Sequence, residues 1–315
     1  MMWSLRAQPE AVGVLSSRVE QALGIPAAHV EKDFWVTEAL RAATDGARDE
    51  DVTLVFKGGT SLSKAHHLIR RFSEDVDLIV VVPAAKKAAD QCLKRITEVV
   101  GEALGVEGQV DPTTATTGRK RTTSFEYPAS QDSGVLRRGV VLELGARGGT
   151  LPAESMVIRS LIAEHAAEIE IEADFIEAEG FKVRVLHPTR TLVEKLMILH
   201  HAAVEEVKTE RVRLVRHYYD VWCLLRDEAT VRGFKDWPCD ALAKEVQVYT
   251  EYAGLRTTPR PADGFAASPA FSERTRAVRK AFEQNVLSQL VWGPPDEKPS
   301  LDECCDLVQE MSGRL

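Results

Sequence analysis

The chain has 315 residues, of which 28% are charged and 44% hydrophobic, and a formal net charge of −8. That length can bury a core large enough for two lobes, and the composition is that of an ordinary soluble globular protein. The acidic balance excludes a protein that coats nucleic acid through bulk charge, so any such contact must come from a local basic cleft.

The five cysteines, Cys92, Cys223, Cys239, Cys304 and Cys305, are odd in number and lack zinc-type spacing. They read as free thiols in a reducing cytoplasm. The N-terminus has no apolar run of the signal-peptide kind, and no stretch is long enough to span a membrane.

Residues 7–45 read as two helices. The second carries Val30, Phe34, Trp35, Ala39 and Leu40 at helical spacing. Glu31-Lys32-Asp33 inside it reads as an exposed charged face. A polar loop over 44–51 leads to a short β-rich run, Val52 to Phe56. Gly58-Gly59 ends that run with a tight turn. Thr60 or Ser61 can then cap a helix through Leu62, Ala65 and Ile69. A helix starting just after a glycine turn aims free backbone N–H groups outward, which suits an anionic oxygen.

The next strand opens Asp75-Val76-Asp77-Leu78. Residues two apart in a strand leave the same face, so Asp75 and Asp77 share one side while Val76, Leu78, Val80 and Val82 take the other. Two neighbouring carboxylates repel unless a cation sits between them. Mg²⁺ prefers such oxygen ligands and shares them with phosphates. The residues alone therefore point to a metal–triphosphate site.

Pro83 closes the strand, and 84–105 reads as a helix through Ala88, Cys92, Ile96, Val99 and Val100. Asp111 to Lys120 reads as a loop. Strands follow at Arg121 to Tyr127 and Gly139 to Leu144. Arg119-Lys120-Arg121 and Arg137-Arg138 flank the loop between them, either facing solvent or forming a polyanion-binding rim. Glu143 is an acid inside the apolar run 140–144, either an outward-facing edge residue or a buried group that needs a partner.

Lys182 to Leu186 is a last strand, ended by His187-Pro188. From there the chain reads as helical. In the helix from Thr189 to about Val204, Lys195 lies on the face of Leu192, Leu196 and Leu199, so it either snorkels or meets an anionic partner. The helix Arg211 to Arg226 buries Leu214, Tyr218, Val221, Trp222 and Leu225. Asp220 falls off that stripe, and periodicity alone makes it a solvated residue. Helices are also expected at about 270–290 and 301–312.

The glycine turn, helix and Asp-x-Asp strand resemble the nucleotidyltransferase superfamily that includes DNA polymerase β. Four segments together resemble the AbiEii/AbiGii toxin family, which includes the MenT toxins. They are Phe56-Lys57-Gly58-Gly59-Thr60-Ser61-Leu62, Arg71-Phe72-Ser73-Glu74-Asp75-Val76-Asp77-Leu78, Thr191-Leu192-Val193-Glu194-Lys195-Leu196 and Arg216-His217-Tyr218-Tyr219-Asp220-Val221. Val30-Glu31-Lys32-Asp33-Phe34-Trp35 matches the family's early helix. Two departures stand out. The gap from the glycine turn to Asp75 is slightly long, and His217 stands where the family often has an acid.

The resemblance implies an α+β, bilobed fold: a polymerase β-type core of mixed sheet and helices over 1–186, and a helical C-terminal domain over 187–315. It implies Asp75, Asp77 and Glu143 as metal ligands for Mg²⁺, with Mn²⁺ as the substitute. It implies Lys57, Gly58, Gly59, Thr60, Ser73 and Lys195 around the NTP phosphates, and Lys195 and Asp220 as catalytic groups of the second lobe. The implied reaction moves a nucleoside monophosphate, a pyrimidine favoured, onto the 3′ end of a tRNA, which blocks aminoacylation. Arg70, Arg71, Arg119, Lys120 and Arg121 would form the RNA rim. An AbiEi-type antitoxin would be the partner. Transfer to a protein or small molecule, or a nucleotide-binding regulator without turnover, are the alternatives.

Overall fold

The computed structural model describes residues 3–49, 52–71, 73, 75–81, 86–131, 137–145, 149–171, 174–205, 211–272, 291 and 298–315. The chain separates into two units. The first comprises Met1–Ala65, Ser73–Ala146 and Glu154–Val185; the second comprises His66–Phe72, Arg147–Ala153 and Leu186–Leu315.

The first unit is built on a seven-stranded mixed sheet, of order β3-β4-β5-β2-β1-β7-β6. Its strands are β1 (Thr53–Lys57), β2 (Asp75–Val81), β3 (Gln109–Val110), β4 (Lys120–Phe125), β5 (Val140–Gly145), β6 (Ala153–Ile158) and β7 (Phe181–Leu186). β2 runs antiparallel to β1 and parallel to β5, and β1 runs parallel to β7. One face of the sheet carries Leu54, Phe56, Val76, Leu78, Val80, Leu142 and Leu144, all in the core. The period-2 alternation of these strands sorts the apolar residues onto that face.

Helices α2 (Ala27–Asp49) and α4 (Lys86–Leu104) pack against each other, and their apolar residues belong to the same core. They supply Phe34, Trp35 and Leu40 from α2, and Leu93, Ile96 and Val100 from α4. Helix α1 (Pro9–Leu23) packs on α2. Two shorter helices of the unit are α3 (Gly58–Lys64) and α5 (Leu161–Glu164).

The second unit is helical, with α6 (Pro188–Val204), α7 (Arg211–Arg226), α8 (Glu228–Arg232), α9 (Cys239–Tyr252) and α10 (Leu301–Glu310). Pro188 fits the first turn of α6, where its missing N–H is not needed. The His187 side chain caps the same end by accepting from the Thr189 N–H. α7 packs against α6 and α10, and α6 also packs against α9. Leu192, Leu196, Leu199, Val221, Leu224 and Val308 are buried there.

Most of the expected elements form close to their expected bounds, but α2 runs on to Asp49, through most of the polar loop expected over 44–51. The helix expected at about 270–290 is an exception: through Phe271 the chain makes short 3₁₀ turns, and residues 273–290 lie outside the described set. The helix expected to run from the glycine turn to Ile69 also stops early, at Lys64. Among the described residues, no helix is long and apolar enough to cross a membrane.

Candidate active site

β1 ends at Lys57 and α3 starts at once, with Gly58 at φ +79°. A Cβ at Gly58 would fall inside the Asp77 carboxylate. Glycine is required there twice over, by the left-handed backbone and by the close approach of an acid. The expected side-chain cap is not found. Instead the Thr60 hydroxyl donates to the Asp75 carbonyl oxygen at 2.5 Å, and the Ser61 hydroxyl donates to the Gly58 carbonyl at 3.0 Å. Thr60 therefore ties the turn to the first residue of β2.

The sheet register places the acids. Asp77 pairs with Lys57 on one side and with Glu143 on the other. Glu143 in turn pairs with Thr122 of β4. Paired residues share a sheet face, and Asp75 lies two residues before Asp77. Lys57, Asp75, Asp77, Thr122 and Glu143 therefore occupy the face opposite the core. Asp75, Asp77, Lys57 and Glu143 are each half-buried. β5 is an interior strand of the sheet, so the edge reading of Glu143 is corrected: it is an acid on the polar face of a central strand.

These three acids offer only oxygen donors on one half-exposed face, which suits a hard divalent cation in type. Among the described residues, no three His, Cys, Asp or Glu side chains are already gathered at ligand spacing. Glu143 leans instead toward Lys120, with Oε2 3.3 Å from Nζ. Lys120 lies two residues along β4 from Thr122, the residue that Glu143 pairs with.

The second unit holds its own cluster. Asp220 is fully buried and accepts three charged bonds. Arg71 Nε donates to Oδ1 at 2.6 Å and the Arg71 terminal nitrogen to Oδ2 at 2.7 Å. Lys195 Nζ donates to the same Oδ2 at 2.6 Å. Arg71 and Lys195 are themselves only 3% and 4% exposed. Burial alone would raise the Asp220 carboxyl, but Arg71 and then Lys195 outweigh it and hold it well below the usual range. His217 is pushed down to about 3, first by burial and then by Lys195, so its ring is neutral. One turn of α7 thus gives a carboxylate between two cations beside an uncharged imidazole.

Lys195 finds the anionic partner that its apolar setting demanded. The solvated reading of Asp220 is overturned. α7 is buried on several sides: Val215, Tyr219 and Leu224 are inside as well as Tyr218, Val221 and Leu225 of the expected stripe, while Leu214 and Trp222 are half-buried. A single-stripe reading fails for such a helix.

Arg71 is not a rim residue, because its guanidinium is committed to Asp220. Arg70 and Arg119 are exposed, and Arg121 is half-buried. The exposed charged face expected at Glu31-Lys32-Asp33 is likewise corrected, since these residues are 1%, 1% and 8% exposed. Glu31 accepts from the Ser130 and Gln131 N–H groups at 2.7 and 2.9 Å. Lys32 donates to the Arg137 carbonyl at 2.5 Å. Asp33 takes Lys64 Nζ at 2.5 Å and the Leu161 N–H at 2.7 Å. Lys64 is the last residue of α3, so Asp33 anchors the end of the helix that follows the glycine turn. Apolar residues on several sides of α2 were the available signal.

One unit thus holds carboxylates on neighbouring strands with a glycine turn packed on one of them, and the other holds a buried Lys–Asp pair. The chain belongs to the nucleotidyl transferase AbiEii toxin family of type IV toxin–antitoxin systems, whose model matches residues 40–304. It is a nucleotidyltransferase of that family. No curated protein sequence matches it. A solved structure, MenT4, a nucleotidyltransferase toxin from Mycobacterium tuberculosis H37Rv, is 19% identical. That alignment covers 88% of this chain and 99% of the other at a TM-score of 0.39, a likeness too loose to bear on the site.

Proposed function

We propose that this chain transfers a nucleoside monophosphate from an NTP, a pyrimidine favoured, to the 3′ end of a tRNA. The observation that carries the reading is the register of Asp77 with Glu143 and Lys57, on the face that Asp75 shares. In this reaction the acceptor hydroxyl oxygen attacks the α-phosphorus and the bond to the bridging oxygen breaks. Pyrophosphate leaves with that electron pair, and the hydroxyl proton is lost toward the carboxylate face.

Asp75, Asp77 and Glu143 would hold Mg²⁺, or Mn²⁺ in its place. When bound, the cation supplies charge neutralisation for the triphosphate and a lowered pKa for the attacking hydroxyl. Lys57, Ser73 and the backbone of Gly58, Gly59 and Thr60 would bind the β- and γ-phosphates. Lys195, steadied by Asp220, would supply positive charge to the departing pyrophosphate. Arg70, Arg119 and Arg121 are left to meet RNA phosphates. Lys120 is shared between that role and Glu143. An AbiEi-type antitoxin is the partner this reading expects, and the cytoplasm its place of action.

The test is purified protein with Mg²⁺, each labelled NTP in turn and either total RNA or total protein. Label should enter an RNase-sensitive band of tRNA size. Asp75→Ala and Asp77→Ala should each reduce it by about 10³-fold or more, since each removes an interaction on which the transition state depends. Label that survives RNase but not protease would move the acceptor to a protein. Unchanged incorporation in Asp75→Ala would remove this face from the reaction.

A further inference from the structure

We propose that Arg71 is a positioning residue of the transferase, holding Asp220, and through it the Lys195 amine, in one place. The proposal rests on the reading that Lys195 serves the reaction. It starts from the way two buried cations, Arg71 and Lys195, meet one carboxylate, Asp220.

The geometry divides the work between the two. Arg71 grips both Asp220 oxygens in a fork, at 2.6 and 2.7 Å. A planar guanidinium in that arrangement fixes the carboxylate in plane and rotation. Lys195 meets only Oδ2, at 2.6 Å. An ammonium on a four-carbon stem is a point charge with little orientation of its own. Its direction is set by the oxygen it meets, and that oxygen is set by Arg71.

The fork is itself anchored. The Arg70 N–H donates to the Tyr219 hydroxyl at 3.1 Å, one residue before Asp220 on α7. The His66 ring contacts the Leu186 carbonyl at 3.1 Å. Arg71 also bridges Val291 through its backbone. The segment His66–Phe72, between the glycine-turn helix and the Asp75 strand, is thus part of the helical unit. This accounts for the long gap between the turn and Asp75: the extra residues carry the arginine to α7.

The experiment uses the full chain in the NTP incorporation assay, with kcat, KM for NTP and thermal melting followed for Arg71→Lys and Arg71→Ala. Arg71→Lys keeps the charge and loses the fork. It should lower kcat by about 100-fold, the scale of one misplaced charge-stabilising donor, with KM changed less than about threefold. Arg71→Ala should regain at least about tenfold of its activity with millimolar guanidinium, whereas Lys195→Ala should regain none. Wild-type kcat in Arg71→Lys would overturn the proposal. So would a loss that only follows the folded fraction and is not rescued. Asp75→Ala, run alongside, separates the two levels of failure. A wild-type chain that labels nothing defeats the functional reading itself. An active chain silenced by Asp75→Ala but indifferent to Arg71→Lys defeats only the role of Arg71.

Discussion

Two buried charge clusters, one in each unit, were built from the same residue types for different ends. Around α2, Glu31, Lys32 and Asp33 are joined by Lys64, giving two acids and two bases. Their partners are backbone groups of separate segments: Ser130 and Gln131, Arg137, and Leu161. On α7, Asp220 takes the side chains of Arg71 and Lys195, and the neighbouring His217 is neutral. The first cluster staples loops to a helix through backbone groups. The second is made between side chains alone, from α6, α7 and the segment between α3 and β2. Buried charge alone does not mark function.

The sharpest way to break this comparison is to remove one acid from each cluster. Asp220→Asn should abolish transfer, by about 10³-fold or more, because it releases the amine and removes the carboxylate that two buried cations share. Denaturant melts should show a loss toward the upper end of the about 3–5 kcal/mol expected when one partner of a buried pair is removed. Asp33→Asn should lose about 3 kcal/mol by the same rule, while kcat per folded molecule stays within about threefold of wild type. If Asp33→Asn silences a stably folded chain, the α2 cluster is not merely a staple and the contrast fails.

The same contrast shows where the sequence was legible. Strands β1, β2, β5 and β7 follow from period-2 patterns with turn residues at their ends, which are local signals. The shared face of Asp75 and Asp77 follows from the same period. Strand β6 was not foreseen, because it sits at the end of the sheet order and is largely exposed, so its residues carry little alternation. The solvated readings of Glu31-Lys32-Asp33 and of Asp220 fail for one reason. Helical periodicity assigns a helix one wet face, whereas α2 and α7 are packed on several sides. The polar residues on those further sides were read as solvated. Arg71 was beyond any local signal: its partner is 149 positions away, and only the folded chain brings them together.

A third buried group, Glu38 on α2, tests whether burial without a perfect partner leaves a measurable trace. Its side chain is fully buried, with Arg41 Nε 3.1 Å from one oxygen and Arg6 Nε 3.5 Å from the other. Nearby Glu177 takes the stronger bonds, from the Ser4 hydroxyl, the Leu5 and Arg6 N–H groups and Arg6 Nε. Burial pushes the Glu38 carboxyl up to about 7, against the pull of Arg41 and Arg6. Its ordinary value is 4.5, so between 4.5 and about 7 the folded chain holds a proton that the unfolded chain has lost. Stability falls with pH wherever the native state binds more protons. The Glu38 contribution is therefore fully present below about 4.5 and lost as pH rises through about 7. Glu38→Gln keeps the shape and removes the titration. Relative to this variant, the wild type should lose about 2–3 kcal/mol between pH 4.5 and 7.5, with little further change above. Denaturant melts of both chains at half-unit steps would read this directly. Parallel stability curves would mean that Arg6 and Arg41 keep Glu38 ionised throughout, placing it with the balanced cluster around Glu31 and Asp33.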